Sequence, residues 1–140
     1  MNPCDPDFTI RDFGLAKTAS LLDDAAAAIQ RASERADVEA VHKMRVAIRR
    51  LQQSLRLFSQ FLRKRGVKRV RRQLKELMEP AGELRNYDIA VGLVRRAKLD
   101  TTALMEKRLA VRACFVEAVR LVARQDLADR WRKALELPGA

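Results

Sequence analysis

Aromatic side chains, cysteines and long apolar runs are all scarce in this sequence. Only 5% of its 140 residues are aromatic, and no apolar stretch approaches the roughly 20 residues that a membrane-spanning helix needs. The two cysteines, Cys4 and Cys114, lie far apart and predict two free thiols in a cytoplasmic protein rather than a disulfide framework. Residues 1–8 lack the basic and apolar regions of a signal peptide. We expect residues 1–11 to form a disordered tail.

The residues that usually build a catalytic site are also missing. The chain has one histidine, no paired cysteines and no glycine-rich phosphate loop. No carboxylate cluster accompanies the basic residues in a way that could hold Mg²⁺ for phosphoryl transfer. We therefore predict no catalytic residues, no metal site and no cofactor, and we do not expect the protein to be an enzyme.

Negative charge is absent from one long segment. Between His42 and Lys75 there are thirteen Lys or Arg residues and not one Asp or Glu, whereas the rest of the chain carries sixteen basic and eighteen acidic residues. The net charge of +11 is therefore concentrated in this segment. Because such self-repulsion destabilises a compact fold, the pattern favours a binding site for an anion over a merely solubilising face, which usually mixes both signs.

The abundant residues predict helices. Apolar residues make up 48% of the chain and charged residues 34%, and Ala, Leu, Arg, Lys, Glu and Gln lose little rotamer freedom in a helix. We predict a first helix from about Phe13 to Glu34 and a second that Asp37 caps. The second helix should end near Gly66. Its buried side repeats at intervals of three and four through Val41, Met44, Ile48, Leu51, Leu55, Phe58 and Leu62.

Three further helices follow in the sequence pattern. A third begins near Val67, and Pro80 and Gly82 should kink or interrupt it. Asp100 or Thr101 can cap a fourth helix, and Asp126 a short fifth. Since the connections are short, neighbouring helices should be antiparallel. The expected fold is all-α, an antiparallel four-helix bundle unit with a short C-terminal helix that carries Trp131 and Leu135, forming a single domain over residues 12–137.

The basic residues fall into rows at helical spacing. The members of a row lie one or two turns apart, so that neighbouring cationic heads are roughly 5–6 Å from each other and can meet successive phosphates of a chain. The rows are His42, Arg45, Arg49 and Arg56 on the second helix, Lys64, Lys68, Arg71 and Lys75 on the third, and Arg108 and Arg112 on the fourth.

The sequence allows two interpretations of His42. A lone histidine is often a structural residue, but the register of His42 with Arg45 and Arg49 favours contact with a ligand. Neighbouring cations should keep it neutral in the free protein, and a bound phosphate should favour its charged form. For Asp88, one turn after Arg85, the spacing indicates a structural ion pair with that arginine.

Two stretches resemble the CHAD family, the conserved histidine α-helical domains. Residues 41–51, VHKMRVAIRRL, resemble the signature helix of the family, and residues 82–89, GELRNYDI, resemble a second motif of Gly, two variable residues, Arg-Asp and an apolar position. The resemblance implies an all-helical, non-catalytic domain that binds inorganic polyphosphate through a basic surface. By position, His42, Arg45, Arg49 and Arg50 match the functional residues of the first motif, and Arg85 matches the second. Asn86 stands where the family usually has Asp, so Asp88 is the candidate to supply the missing salt bridge.

The family usually has two such units in one chain, and only one is visible here. Either the other unit was lost or lies elsewhere, or a second copy supplies the other half of the basic surface; we predict the latter, a homodimer. Two segments that are apolar on most sides, and so need covering, support it. These are Ile89, Val91, Leu93 and Val94 on the third helix and Val116, Val119, Leu121 and Val122 on the fourth. The competing expectation is a monomer whose Trp131–Leu135 segment folds over this surface.

Polyphosphate binding is the first functional prediction, with the protein in the cytoplasm and associated with polyphosphate granules. Non-specific binding of duplex nucleic acid is the second, because its electrostatics are nearly the same. Single-stranded nucleic acid fits less well, because the aromatics of the basic segment, Phe58 and Phe61, are expected in the core rather than stacked on bases. A third alternative is a helical adaptor whose basic face docks on an acidic protein or a membrane surface.

Overall fold

The computed structural model describes residues 9–124 and 126–138, and it confirms the all-α prediction. These residues contain five α-helices and one short 3₁₀ turn, and no strand is present among them. In chain order the elements are α1 (Ile10–Glu34), α2 (Val38–Leu57), the 3₁₀ turn (Ser59–Phe61), α3 (Lys64–Arg96), α4 (Thr102–Val122) and α5 (Leu127–Leu135). Residues 1–8 of the expected tail lie outside the described residues. The end of that segment is helical, because α1 begins at Ile10.

All seven positions of the predicted seam are buried, although Phe58 and Leu62 lie beyond the end of α2. Met44, Ile48, Leu51 and Leu55 have no exposed surface, and Val41, Phe58 and Leu62 are at most 9% exposed. The cap at Asp37 is also confirmed, since its carboxylate accepts a hydrogen bond of 2.8 Å from the backbone N–H of Ala40. The apolar spacing therefore predicted the buried side of this helix correctly.

Gly66 does not end a helix, as the sequence suggested, but lies buried in the first turn of α3. A Cβ at this position would stand 1.8 Å from the backbone oxygen of Ala134 in α5. The glycine therefore allows two helices to pack in close contact. Helix α3 begins at Lys64, three residues earlier than expected, because the chain turns at Phe58–Arg63 instead.

Helix α3 continues through Pro80, and one helix of 33 residues runs from Lys64 to Arg96, so of the predicted kink or interruption the interruption is wrong. Proline lacks the N–H that would bond to the carbonyl of Glu76, which costs the helix one hydrogen bond. The burial of apolar residues before and after Pro80 compensates for the lost hydrogen bond, because Leu77, Ala81 and Leu84 are all in the core.

Of the two caps predicted for α4 and α5, the first is confirmed at Asp100 and the second, at Asp126, is wrong. Asp100 caps α4, its carboxylate accepting a 3.1 Å hydrogen bond from the backbone N–H of Thr102. That bond, together with one from the Thr102 hydroxyl, lowers the pKa of Asp100. Asp126 occupies the position before α5, but its side chain makes no capping hydrogen bond. Its backbone is left-handed, and its carboxylate lies 3.6 Å from Arg130.

The helix order around the bundle is α1, α2, α3, α4. Each helix packs against its chain neighbour, and α1 also meets α4, but more sparsely. The α2–α3 seam and the α1–α4 seam therefore lie on opposite sides of the bundle. The short connections make successive helices antiparallel. A buried hydrogen bond of 2.7 Å between the hydroxyls of Thr18 and Ser54 joins α1 to α2.

Helix α5 follows α4 and packs on the same two helices, α3 and α1. The indole N–H of Trp131 donates to the side-chain oxygen of Gln73 at 2.6 Å, and Arg132 pairs with Asp23 at 2.5 Å. Helix α5 thus does not cover the segment around Ile89, which stays 49% exposed. No helix in the described ranges is long and apolar enough to cross a membrane.

Candidate functional site

The basic row of α2 follows the edge of its buried side. His42, Arg49 and Arg56 are exposed, whereas Arg45 is half-buried. Because Met44 and Ile48 hold the adjacent positions in the core, the side chains of the row leave the helix towards one flank. For Arg45 and Arg49 this flank faces α3, because Arg45 lies near Arg85 of that helix.

Three arginines from two helices meet where α2 packs against α3. Arg45 and Arg49 come from α2, and Arg85 comes from the second family-like motif on α3. Burial lowers the pKa of Arg45, and the positive charges of Arg49 and Arg85 lower it further. The Nε of Arg45 is buried and has no hydrogen-bond partner among the described residues. A guanidinium that is partly dehydrated, unpaired and surrounded by cations is strongly favoured by the arrival of an anion.

The basic row of α3 begins at the opposite end of the α2–α3 seam. Lys64, Lys68 and Arg71 line an open cavity of about 510 Å³ together with Ser59 and Gln60 from the preceding turn. The fourth member of the row, Lys75, is exposed on the next turn and lies 3.8 Å from Glu79. Exposed pairs of this kind contribute little to stability, so the lysine stays free to exchange partners.

These two rows form what we call the α2–α3 basic surface. It extends from the arginine cluster at one end to the lysine-lined cavity at the other, along two antiparallel helices. Its members are Arg45, Arg49 and Arg56 of α2 and Lys64, Lys68, Arg71, Lys75 and Arg85 of α3. Apart from the Lys75–Glu79 contact, none of them forms an ion pair within the part of the chain that the structure describes.

Arg50 is not part of this surface, although it stands next to Arg49 in the sequence. It lines a smaller cavity of about 290 Å³ on the α1 side of α2, where Asp24 contributes a carboxylate. His42 also lines this cavity, so the histidine stands between it and the α2–α3 basic surface. Successive helix positions are 100° apart, which explains why adjacent arginines serve different flanks.

Arg108 and Arg112 of α4 lie elsewhere again. Both line a cavity of about 490 Å³ on the opposite seam, between α4 and the α1–α2 connection. The Nε of Arg108 donates to Asp88 of α3 at 2.5 Å, so Asp88 pairs with Arg108 and not with Arg85 as the spacing suggested. The structure therefore does not bring these two arginines to the α2–α3 basic surface.

Two further arginines of this opposite cavity, Arg35 and Arg120, were not identified from the sequence. Arg35 follows α1 and pairs with Asp37 at 3.1 Å, and Arg120 is two turns beyond Arg112 on α4. The spacing of Arg112 and Arg120 would have linked those two, but no local pattern links α4 to the α1–α2 connection. Carboxylates of Glu34 and Asp37 share the cavity, so its charge is mixed.

Metal-ligating side chains and thiols are few among the described residues. Among the described residues, no group of three or more His, Cys, Asp or Glu side chains could hold a metal ion. Cys114 is a free, exposed thiol on α4. The groups that the α2–α3 basic surface presents are guanidinium and ammonium groups, whose chemistry suits anions.

One of three comparisons with known proteins gives a match. No curated protein and no solved structure is significantly similar to the chain. The family model of the CHAD domain matches residues 19–140, which includes both motifs and every helix except the beginning of α1. By this match, the chain belongs to the CHAD domain family.

Proposed function

We propose that this protein binds inorganic polyphosphate through the α2–α3 basic surface and catalyses no reaction. The observation that carries the proposal is the cluster of Arg45, Arg49 and Arg85, in which a buried guanidinium nitrogen has no partner. CHAD domains are related to polyphosphate binding in general, which supports the same ligand. The acid-free segment 42–75 supplies most of the surface.

The arrangement suits a linear polyanion better than a compact one. Arginine offers a planar fork that matches two phosphate oxygens and stays charged, while lysine supplies a point charge on a flexible stem. Helices rise about 1.5 Å per residue, which places Lys68 roughly 25 Å from Arg85 along α3. A phosphate chain lying along this seam would contact several cations at once, so its affinity should fall steeply as salt rises.

A competition at fixed salt tests the ligand. Fluorescently labelled long-chain polyphosphate is bound to the protein and displaced either by unlabelled polyphosphate or by duplex DNA of equal phosphate content. We expect polyphosphate to displace the probe at a much lower phosphate concentration. Equal displacement by both would contradict a preference for polyphosphate and favour general duplex binding. Failure of the probe to bind would favour the adaptor alternative.

We also propose that the protein works as a homodimer. Support comes from apolar side chains around the end of the bundle where α3 and α4 join, which we call the apolar tip patch. It consists of Val38, Ile89, Leu93 and Leu109, whose exposures are 57%, 49%, 57% and 59%. Exposed apolar side chains that gather at one place indicate an interaction site.

The four members of this patch all lie near the Asp88–Arg108 ion pair that joins α3 to α4. Val38 and Arg108 line the same cavity, and Arg108 is bonded to Asp88. Ile89 and Leu109 directly follow these two bonded residues in the sequence, and Leu93 is one turn beyond Ile89 on the same face of α3. Of the apolar positions that the sequence singled out, Val91, Val119 and Val122 are covered within the unit.

A cytoplasmic location in association with polyphosphate granules completes the proposal. It is supported by the polyphosphate affinity expected of the basic surface and by the free thiol of Cys114. Imaging of a fluorescent fusion in cells with and without polyphosphate would test it. We expect foci only when polyphosphate is present.

A further inference from the structure

Gly82 lies in the middle of α3, where nothing inside the protein requires a glycine. A Cβ built at this position would meet no heavy atom within 4 Å. Gly14 and Gly66 differ, because a Cβ there would collide with Phe58 and with the backbone of Ala134. A glycine in a helix interior is destabilising relative to alanine. The packing of this chain therefore does not account for Gly82, nor for Gly92, which has the same free space.

Gly82 lies near the arginine cluster. It precedes Arg85 by three residues, so the two share one face of α3. Because α2 and α3 are antiparallel, the turn of α3 before Arg85 lies opposite the turn of α2 after Arg45, which carries Arg49. Gly82 thus lies beside the arginine cluster, with free space where a Cβ would stand.

The arginine cluster beside Gly82 has the features of a site for an anion. The Nε of Arg45 is buried without an acceptor. Neither Arg45, Arg49 nor Arg85 forms an ion pair in the ranges 9–124 and 126–138. Burial and the two neighbouring cations lower the pKa of Arg45, a disadvantage to the charged form that a bound phosphate would remove.

We propose that one phosphate group of the bound chain lies against the α3 backbone at Gly82, held by Arg45, Arg49 and Arg85. This inference rests on the proposed function and divides its surface into two parts. The arginine cluster is an anchor that accepts a short oligophosphate by itself. Lys68, Arg71 and the rest of the lysine-bearing end contact only chains long enough to reach them.

A pair of glycine substitutions on the same helix tests the anchor. Gly82→Ala places a methyl group where the phosphate is proposed to lie, and Gly92→Ala adds the same methyl group where a Cβ likewise meets nothing within 4 Å. Both should leave the melting temperature unchanged or raised. For tripolyphosphate, measured by calorimetry, we expect Gly82→Ala to raise the Kd by about tenfold, the loss of one charge-assisted contact. Gly92→Ala should leave it unchanged, with light scattering verifying the same assembly state for both variants.

Two further variants separate the anchor from the extension. Arg45→Lys keeps the positive charge but removes the fork and the buried Nε, so it should weaken tripolyphosphate binding. The triple variant Lys68→Ala, Arg71→Ala, Lys75→Ala should weaken binding of long chains while tripolyphosphate keeps its affinity. If the triple variant lost tripolyphosphate affinity as well, the division into anchor and extension would be wrong.

The outcomes also distinguish this inference from the proposed function. Unchanged tripolyphosphate affinity in Gly82→Ala overturns the anchor. Wild-type protein that binds long-chain polyphosphate but no tripolyphosphate overturns the anchor and leaves the proposed function standing. Wild-type protein that binds neither overturns both.

Discussion

Asp88 of α3 and Arg108 of α4 form a short ion pair that is largely withdrawn from solvent. Their atoms Oδ1 and Nε are 2.5 Å apart, and the side chains are only 20% and 18% exposed. The pair joins the two helices near the end of the bundle and directs Arg108 inwards. It also explains why this arginine, although one turn from Arg112, is occupied within the fold.

Breaking this pair should destabilise the protein. Asp88→Asn would leave a mostly buried guanidinium without its counter-charge, and we expect a loss of about 2–3 kcal/mol in the free energy of unfolding. Urea denaturation measures it. The single changes Asp88→Ala and Arg108→Ala and their double variant form a cycle whose coupling energy should lie at about 1–3 kcal/mol. A coupling near zero would mean that the contact contributes nothing.

The arginine cluster should dominate ligand affinity. Replacing Arg45 and Arg49 together by Ala removes two charge-assisted contacts, each of about 1.5–3 kcal/mol, so polyphosphate affinity should fall at least about tenfold. The dependence of affinity on salt should also flatten, because fewer phosphates are neutralised. Circular dichroism should show unchanged helix content.

The matched control removes the same two charges from the other side of the bundle. Arg112 and Arg120 line the α1–α4 cavity, and neither forms an ion pair among the described residues. Their double Ala variant should retain most of the affinity. An equal loss in both variants would show that ligand affinity follows total charge and not a particular surface.

The sequence predicted the elements that depend on local pattern. The buried side of α2 could be predicted because its apolar residues recur at the helical period. The capping role of Asp37 could be predicted because a cap is a contact between near neighbours in the chain. The rows of basic residues followed from the same periodicity. Periodicity places Arg49 and Arg50 about 100° apart around α2, but it does not show which helix lies against each of these two flanks.

Two of the wrong predictions share one physical cause. Gly66 and Asp88 were interpreted through residues a few positions away, as a helix end and as a partner of Arg85. Their actual contacts are with Ala134 and Arg108, which are distant in the chain and near only after folding. A glycine that ends a helix and one that admits a neighbouring helix look the same in sequence. The distinction requires knowing where α5 packs.

The close contact at Gly66 makes a prediction about α5. Gly66→Ala would force a methyl group into the backbone of Ala134, so α5 must move, and we expect a loss of about 3 kcal/mol in the free energy of unfolding. Trp131 is the only tryptophan and is 2% exposed, so its fluorescence should shift to longer wavelength as α5 moves. Gly92→Ala is the control and should neither lower the free energy of unfolding nor shift the Trp131 emission. Wild-type stability and emission in Gly66→Ala would contradict the packing.

The proposed dimer is tested at the apolar tip patch. A second copy covering Ile89 and Leu93 would bury side chains that a single chain leaves exposed to water. A stable interface buries about 1,000 Å² or more of accessible surface in total. Light scattering at micromolar protein in moderate salt, without polyanion, should therefore give twice the chain mass of 16.0 kDa. Leu93→Glu would place a charge in the interface and should give the mass of one chain.

The control for the dimer lies at the other end of the bundle. Leu57 is 73% exposed at the end of α2 farthest from Val38, and Leu57→Glu should remain dimeric. If the dimer joins two basic surfaces, Leu93→Glu should also weaken the binding of long polyphosphate while tripolyphosphate affinity stays the same, because only a long chain can reach both copies. A wild-type mass of one chain across the micromolar range would exclude the dimer. The basic surface of a single unit would then have to bind the ligand alone.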